Sequence, residues 1–408
     1  MRNTRLGIWI LIAGCLAGPA AAQDPAVKTL TLEDCILGAL KNNLSVAVQV
    51  LNPQLADETL SKAEEKFLPT LSMSFNNRHN ESASYSWTST STTGSVLSKY
   101  NSYSIAVNES LPIGGTLSLS LDSYKSDTNQ NLQTINPRYG STLSLNLSQP
   151  LLRNFGTTMA RREILVARNN LEISAYNLHK SLLDTIYTVE QSYWNLVYSI
   201  QNLEVQRQSL QLARDLLAKN ERAVEVGQLA PIEILSAQAE VATREADILQ
   251  GEMQVKTNED TLRTLLNLEP GSQSPTTQIV PADRPSFEAK TISLDEALLT
   301  AMDNRPDLRS ARTSLKNNEL DLSYARNQIL PGLNLTASYS SPGISGDRLL
   351  YLNDNPLSGI VIGSIPGGAS DALRDTMNFK YQNWTVGLTL DIPLSNVLSR
   401  AGYAQARV

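Results

Sequence analysis

Hydrophobic residues follow one period and then another along this chain, and the change of period happens twice. Over residues 31–67 they recur at helical spacing. After Leu68-Pro69 they alternate, with Leu71, Met73 and Phe75 set between Ser72, Ser74 and Asn76. Residues 293–335 repeat 31–73 at a constant offset of 262, with ten of 43 positions identical. The matches include Leu32/Leu294, Ala39/Ala301, Asn42/Asn304, Ala63/Ala325 and the break Leu68-Pro69/Leu330-Pro331. A repeat of that length is one structural unit used twice, here a helical segment that hands over to a strand. Pro53 is expected to kink the first copy; Leu315 stands in its place in the second.

Six segments alternate with a period of 2: 71–77, 102–111, 116–124, 142–151, 333–339 and 384–392. Each is apolar on one side and mostly Ser, Thr, Asn or Gly on the other, as where Leu117, Leu119 and Leu121 face away from Ser118, Ser120 and Asp122. Barrel strands in a membrane have this pattern, with lipid on one face and water on the other. A soluble sandwich shows the same alternation. Two features favour the membrane. The small polar set suits a wet lumen, and Tyr100, Tyr103, Tyr124, Tyr139, Tyr339, Tyr381 and Trp384 stand near segment ends like an interfacial girdle. The connectors 78–101, 125–141 and 340–382 read as outward loops, and Pro112-Ile113-Gly114-Gly115 as a tight inner turn.

From about Thr158 to Val226 neither proline nor glycine interrupts a helical pattern. Leu182, Val189, Leu196, Leu203, Leu210, Leu217 and Val224 fall seven apart, with a companion seam at Ile186, Tyr193 and Ile200 that continues as Arg207, Arg214 and Glu221. After Gly227–Pro231 a return helix steps by seven through Ile234, Val241, Ile248, Val255 and Leu262. Sustained heptads mean coiled coil, and the short break makes the two helices an antiparallel hairpin. The polar end of the companion seam is expected to face a neighbouring hairpin or a partner.

The first 22 residues read as an export signal: Arg2 and Arg5, an apolar core Leu6–Ala13, then Ala20-Ala21-Ala22 before Gln23. Ile12-Ala13-Gly14-Cys15 also fits a lipoprotein box with Cys15 acylated, so both processing routes stay open. Removing 1–22 leaves 32 basic against 40 acidic side chains, a net charge of −8. With no basic stripe, nucleic acid is not an expected partner. Cys35 is the one further cysteine and reads as a small buried residue, so no disulfide framework exists. No apolar run reaches the roughly 18–20 residues of a membrane-spanning helix. His79 and His179 lie far apart in ordinary contexts. No metal-ligand spacing, phosphate loop or nucleophile elbow is present, so neither enzyme activity nor a cofactor is expected.

Signal, helix, strands, long heptad hairpin, linker and repeat together resemble the TolC-like outer-membrane efflux channels, the outer-membrane factor family. The most specific piece is Val226-Gly227-Gln228-Leu229-Ala230-Pro231-Ile232-Glu233-Ile234, similar to the family's Val-Gly-Leu-x-Ala tip followed by an acidic residue; Gln228 stands where Leu is usual. The repeated Leu-Pro and the Trp384-Thr385-Val386-Gly387-Leu388 strand also look like the family. The resemblance implies a mixed α and β fold in which strands of an outer-membrane β-barrel join long coiled-coil hairpins. It implies a homotrimer sharing one barrel in the outer membrane of a Gram-negative bacterium, with helices in the periplasm. Partners would be a periplasmic adaptor, an inner-membrane transporter and outer-membrane lipid. By position, Val226, Gly227, Gln228, Leu229 and Ala230 inherit adaptor docking and Glu233 a gate role. The family uses four strands per chain, so the hairpin 102–124 either widens the barrel or lies outside it.

The expected layout is a signal at 1–22, first-repeat helix at 23–67, strands and loops at 68–152, periplasmic hairpin at 153–268 and linker at 269–291. The second copy follows as helix at 292–330, strands at 331–395 and the start of a second long helix at 396–408. Two-fold repetition calls for a second hairpin of roughly 110 residues, so the chain reads as a fragment. The expected function is the passive exit duct of an efflux or type I secretion system. The rival is a non-conducting trimer with a coiled-coil stalk and a barrel anchor.

Overall fold

The computed structural model describes residues 27–84, 94–268, 278–286, 289 and 292–408. A short strand β1 (Val27–Leu30) and helices α1 (Leu32–Asn42) and α2 (Leu44–Glu65) lead into β2 (Thr70–Ala83). Next come β3 (Ser95–Ser110), β4 (Thr116–Thr128), β5 (Ile135–Pro150), the one-turn α3 (Thr157–Ala160) and the long helices α4 (Arg162–Glu225) and α5 (Ile232–Leu266). β6 (Gln278–Pro281) precedes the second copy: α6 (Leu294–Asn304), α7 (Pro306–Asn327) and β7 (Gly332–Tyr351). β8 (Val361–Ile365), α8 (Ala369–Met377), β9 (Asn383–Asp391) and α9 (Val397–Arg407) follow.

The repeat is preserved to the residue: both helices and the first residue of the strand recur at the offset of 262. In each copy the helix breaks at one place, Asn43 or Arg305, and not at Pro53, which sits inside an uninterrupted α2. The Asn43 side-chain oxygen accepts from the Ser45 and Val46 amides, which starts a new helix there. In the second copy Pro306 at the first helical position does the same by its fixed φ. α1 itself begins in a reciprocal box between Thr31 and Asp34, which holds the Asp34 carboxyl below its ordinary pKa.

The described chain falls into two compact units: residues up to 50 with 180–294, and 51–179 with 295–408. In the first, α4 and α5 form the heptad hairpin, with Val189, Leu196, Leu203, Leu210 and Leu262 buried. The companion seam runs one residue earlier than expected, through Ser199, Gln206 and Ala213. Arg207 and Arg214 lie on the hairpin's exposed flank and pair with Glu252 at 3.2 Å and Glu245 at 2.7 Å. Gly251 packs so closely that a Cβ there would stand 2.2 Å from Gln206 Oε1. The base of this unit joins Cys35, Ala39, Tyr193, Val197, Leu266 and Ile279 in one core. The expected linker is partly ordered: β6 pairs in parallel with β1. Tyr193 fastens the join, donating to Asp283 Oδ2 (2.9 Å) and accepting from the Asp283 amide (3.1 Å).

The second unit is built on one sheet, ordered β2-β3-β4-β5-β7, with β9 and then β8 along the far edge of β7. All six alternating segments are strands of this sheet. The hairpin β3–β4 is hydrogen-bonded on both sides, to β2 and to β5, and so belongs to the sheet. The strands outrun the alternating segments. β2 and β3 continue through Ala83 and from Ser95, and β4 and β5 through Thr128 and from Ile135. β7 runs to Tyr351, so much of the three expected loops is sheet, and 340–382 also holds β8 and α8. His79 lies in β2 opposite Lys99, not in a loop. At the foot of the sheet Arg162 bonds Asp321 (2.6 Å) and packs over the Tyr324 ring, which ties α4 to α7.

Candidate channel wall and hairpin tip

Cross-strand register turns six separate alternations into two continuous faces. One row runs Leu71, Val107, Leu119, Leu145, Tyr339, Trp384; the next runs Met73, Ile105, Leu121, Leu143. Below them lie Leu117, Leu147, Ala337 and Val386, then Leu335 with Leu388 and Leu333 with Leu390. Period-2 strands put these side chains on one face. They stand open: Met73 is 70% exposed and Trp384 74%. The opposite face reads Ser72, Ala106, Ser120, Ser144, Ser340 in one row and Thr70, Asn108, Ser118, Asn146, Ser338 in another. Its carboxylate Asp122 is held by the hydroxyls of Ser104 and Ser120. An apolar band backed by small hydroxyl side chains is what a wall between lipid and water requires.

The aromatic residues divide between the faces. Tyr103, Tyr139, Tyr339 and Trp384 share the apolar one, where Phe75 contacts Tyr103 at 5.0 Å. Tyr100 and Tyr124 do not join that girdle. They stack on the polar face with ring centroids 5.3 Å apart, and Arg138 lies over Tyr124. Gly140 makes room, since a Cβ there would stand 2.3 Å from the Tyr124 ring. Odd and even positions on β3 and β4 distinguish the two sets once the strands are extended into the supposed loops.

The second candidate site is the hairpin tip between α4 and α5. Gly227 takes φ +76°, and a Schellman closure ends α4: the Gly227 amide donates to Val224 O (2.9 Å) and the Gln228 amide to Ala223 O (2.8 Å). A side chain at Gly227 would meet open space, so its requirement is conformational. Val226, Gly227, Gln228, Leu229 and Ala230 are all exposed. So are Ile232 and Leu235, which makes the tip apolar as well as bare. Glu233 is exposed in the first turn of α5, where a carboxylate complements the helix dipole. Cys15 and the signal lie outside the described residues. Cys35 is fully buried, and desolvation pushes its thiol up to about 11. Among the described residues no cluster of side chains suits a metal ion, and no helix is long and apolar enough to cross a membrane.

Residues 114–268 match the family model described as outer membrane efflux protein. Compared by sequence with curated proteins, the chain has no significant match. Among solved structures it is similar to the CmeC outer membrane channel of Campylobacter jejuni, at 18% identity and a TM-score of 0.55, covering 92% of this chain and 64% of that one. It is similar to the MtrE outer membrane channel of Neisseria gonorrhoeae, at 18% identity and a TM-score of 0.52, covering 92% and 66%. For the outer-membrane channel OprN the identity is 16% and the TM-score 0.58, covering 92% and 66%. The chain thus spans about two thirds of the length of these channels. Residues 114–268 carry the outer membrane efflux protein match, and the described chain has the TolC-like fold of outer-membrane channels.

Proposed function

We propose that copies of this chain assemble into a passive duct through the outer membrane of a Gram-negative bacterium. It forms the exit of an efflux or type I secretion system whose inner-membrane transporter drives the substrate. The observation that carries this reading is the sheet, greasy on one face and hydroxyl-lined on the other, with β2 and β9 as edges that no strand pairs among the described residues. A 14-residue edge strand without proline invites pairing with another chain. The six long strands alternate in direction, so β9 of one copy runs antiparallel to β2 of the next. A homotrimer then closes with about eighteen strands, a wall about half as wide again as a twelve-stranded one, because diameter grows roughly linearly with strand number. The helices stand in the periplasm. The exposed tip, Val226 to Ala230, meets the hairpin of an adaptor protein, and Glu233 belongs to the polar links that close the entrance.

Single-channel recording from the full-length protein in liposomes tests the duct. Stepwise currents are expected, with more open time for Glu233→Ala than for the parent. An intact ring that passes no current under any gating condition would replace the duct with the coiled-coil stalk and barrel anchor.

A further inference from the structure

The short helix α8 lies on the apolar face of the sheet, at a level where the strands lose their large side chains. Its seat is Ser141, Ser341 and Gly343. Ser341 Oγ donates to Thr376 O (2.9 Å), Thr376 Oγ1 donates to Ser141 O (2.9 Å), and a Cβ on Gly343 would stand 2.1 Å from Ala372 O. Ala372 and Thr376 are therefore buried against the strands. Beside that buried pair α8 presents Leu373 and Met377, four apart, and the chain continues through Phe379 and Tyr381 to Trp384, every one of them exposed. The Phe379 ring lies beside that of Tyr339 in the apolar row, with centroids 6.2 Å apart. The side of the helix away from Leu373 is polar, with Arg374 beside Asp371 and Lys380 bonded to Asp375. Beside α8 a groove of about 390 Å³ includes Tyr103, Leu373, Tyr139 and Lys125 in its lining, with the Lys125 ammonium over the Tyr139 ring.

We propose that α8 and the segment through Tyr381 lie in the headgroup layer of the bilayer, as an interfacial anchor that sets how deep the wall sits. This rests on the apolar face meeting lipid. The cross-strand row that begins with Phe75 and Tyr103 continues through Ser123, Ser141 and Gly343, small residues that leave a gap in that row. α8 fills that gap with its own apolar stripe, and its charged flank lies toward water. A surface helix with one greasy and one charged side suits the boundary between acyl chains and headgroups. Nine residues are too few for an independent helix, so its position is held by the seat on the sheet. Continuity with the apolar row identifies the occupant of the exposed side as lipid rather than a protein partner.

Nitroxide labels test it in the full-length protein, reconstituted in phosphatidylcholine–phosphatidylglycerol vesicles. Leu373→Cys and Met377→Cys are compared with Leu119→Cys in the apolar band and Gln228→Cys at the tip; buried Cys35 stays unlabelled. Collisions with lipid-soluble oxygen should exceed those with a water-soluble nickel chelate at 119, reverse at 228, and fall between at 373 and 377. Labels at 373 and 377 as open to nickel as the tip, with 119 still in lipid, would overturn the anchor and leave the duct standing. Nickel access at 119 would bring down the duct reading and the anchor with it.

Discussion

Placing one arginine on each face of β5 is the most direct test of which side of the wall meets lipid. Leu145 lies in the middle of the apolar rows, between Leu119 and Tyr339; Ser144 lies on the other face between Ser120 and Ser340. The two positions are adjacent in sequence and share the same backbone pairing, so strand propensity and edge effects cancel. A lipid-facing arginine near the bilayer midplane costs about 2–4 kcal/mol, and on the order of 6–12 kcal/mol when a closed ring carries three copies. On the wet face the added guanidinium stays hydrated and narrows the lumen without a comparable penalty. The assay is the urea midpoint of the folded protein in vesicles, read by the loss of its folded mobility on a gel. Leu145→Arg should lower the midpoint severely or prevent insertion. Ser144→Arg should leave the midpoint nearly unchanged and alter conductance instead. Equal penalties for both, or the larger one for Ser144→Arg, would refute the assignment of faces.

Gly227→Trp should abolish crosslinking to the adaptor while membrane insertion persists, because φ +76° strains any side chain and the indole would stand out from a bare tip; undiminished crosslinking would remove the tip from the docking surface. Tyr193→Phe deletes the hydroxyl that links Leu30 and Asp283, and each lost bond is worth about 1 kcal/mol. Hydrogen exchange at 278–286 should then rise roughly fivefold or more, and unchanged exchange would mean the hydroxyl is not a fastener. Cys35 titrates at about 11, so its thiolate is scarce below that pH and grows only as pH approaches it. Maleimide at pH 8 should leave Cys35 of the folded protein unmodified and react after denaturation; stoichiometric labelling of the native protein would contradict the buried core.

Much of the architecture was written locally. A Leu-Pro after a helical stretch ends the helix for want of an amide donor, and alternation after it demands a strand, so both copies could be read off to within a few residues. Heptads with a five-residue gap specify a hairpin, and Gly227 supplies the one backbone conformation that its closure needs. The sequence pattern also put apolar and small polar residues on opposite sides of the six alternating segments.

Tertiary contacts decided the rest. The outer halves of β2, β3, β4, β5 and β7 carry polar residues on both faces, so no alternation betrays them; ladder hydrogen bonds to a neighbour hold them extended. The pairing of β1 with β6 joins segments some 250 residues apart, and nothing in either four-residue piece encodes its partner. α8 is too short to declare itself by period, and only its seat on Ser141, Ser341 and Gly343 makes it a helix in a defined place. The arginine pairs on the hairpin flank depend on which side of the leucine seam the second helix packs, and seven-residue counting does not decide that. A local pattern can state which side of a residue prefers water, because that preference belongs to the side chain. Which strand lies beside which depends on backbone groups that every residue shares, and those are assigned only when the whole sheet is assembled.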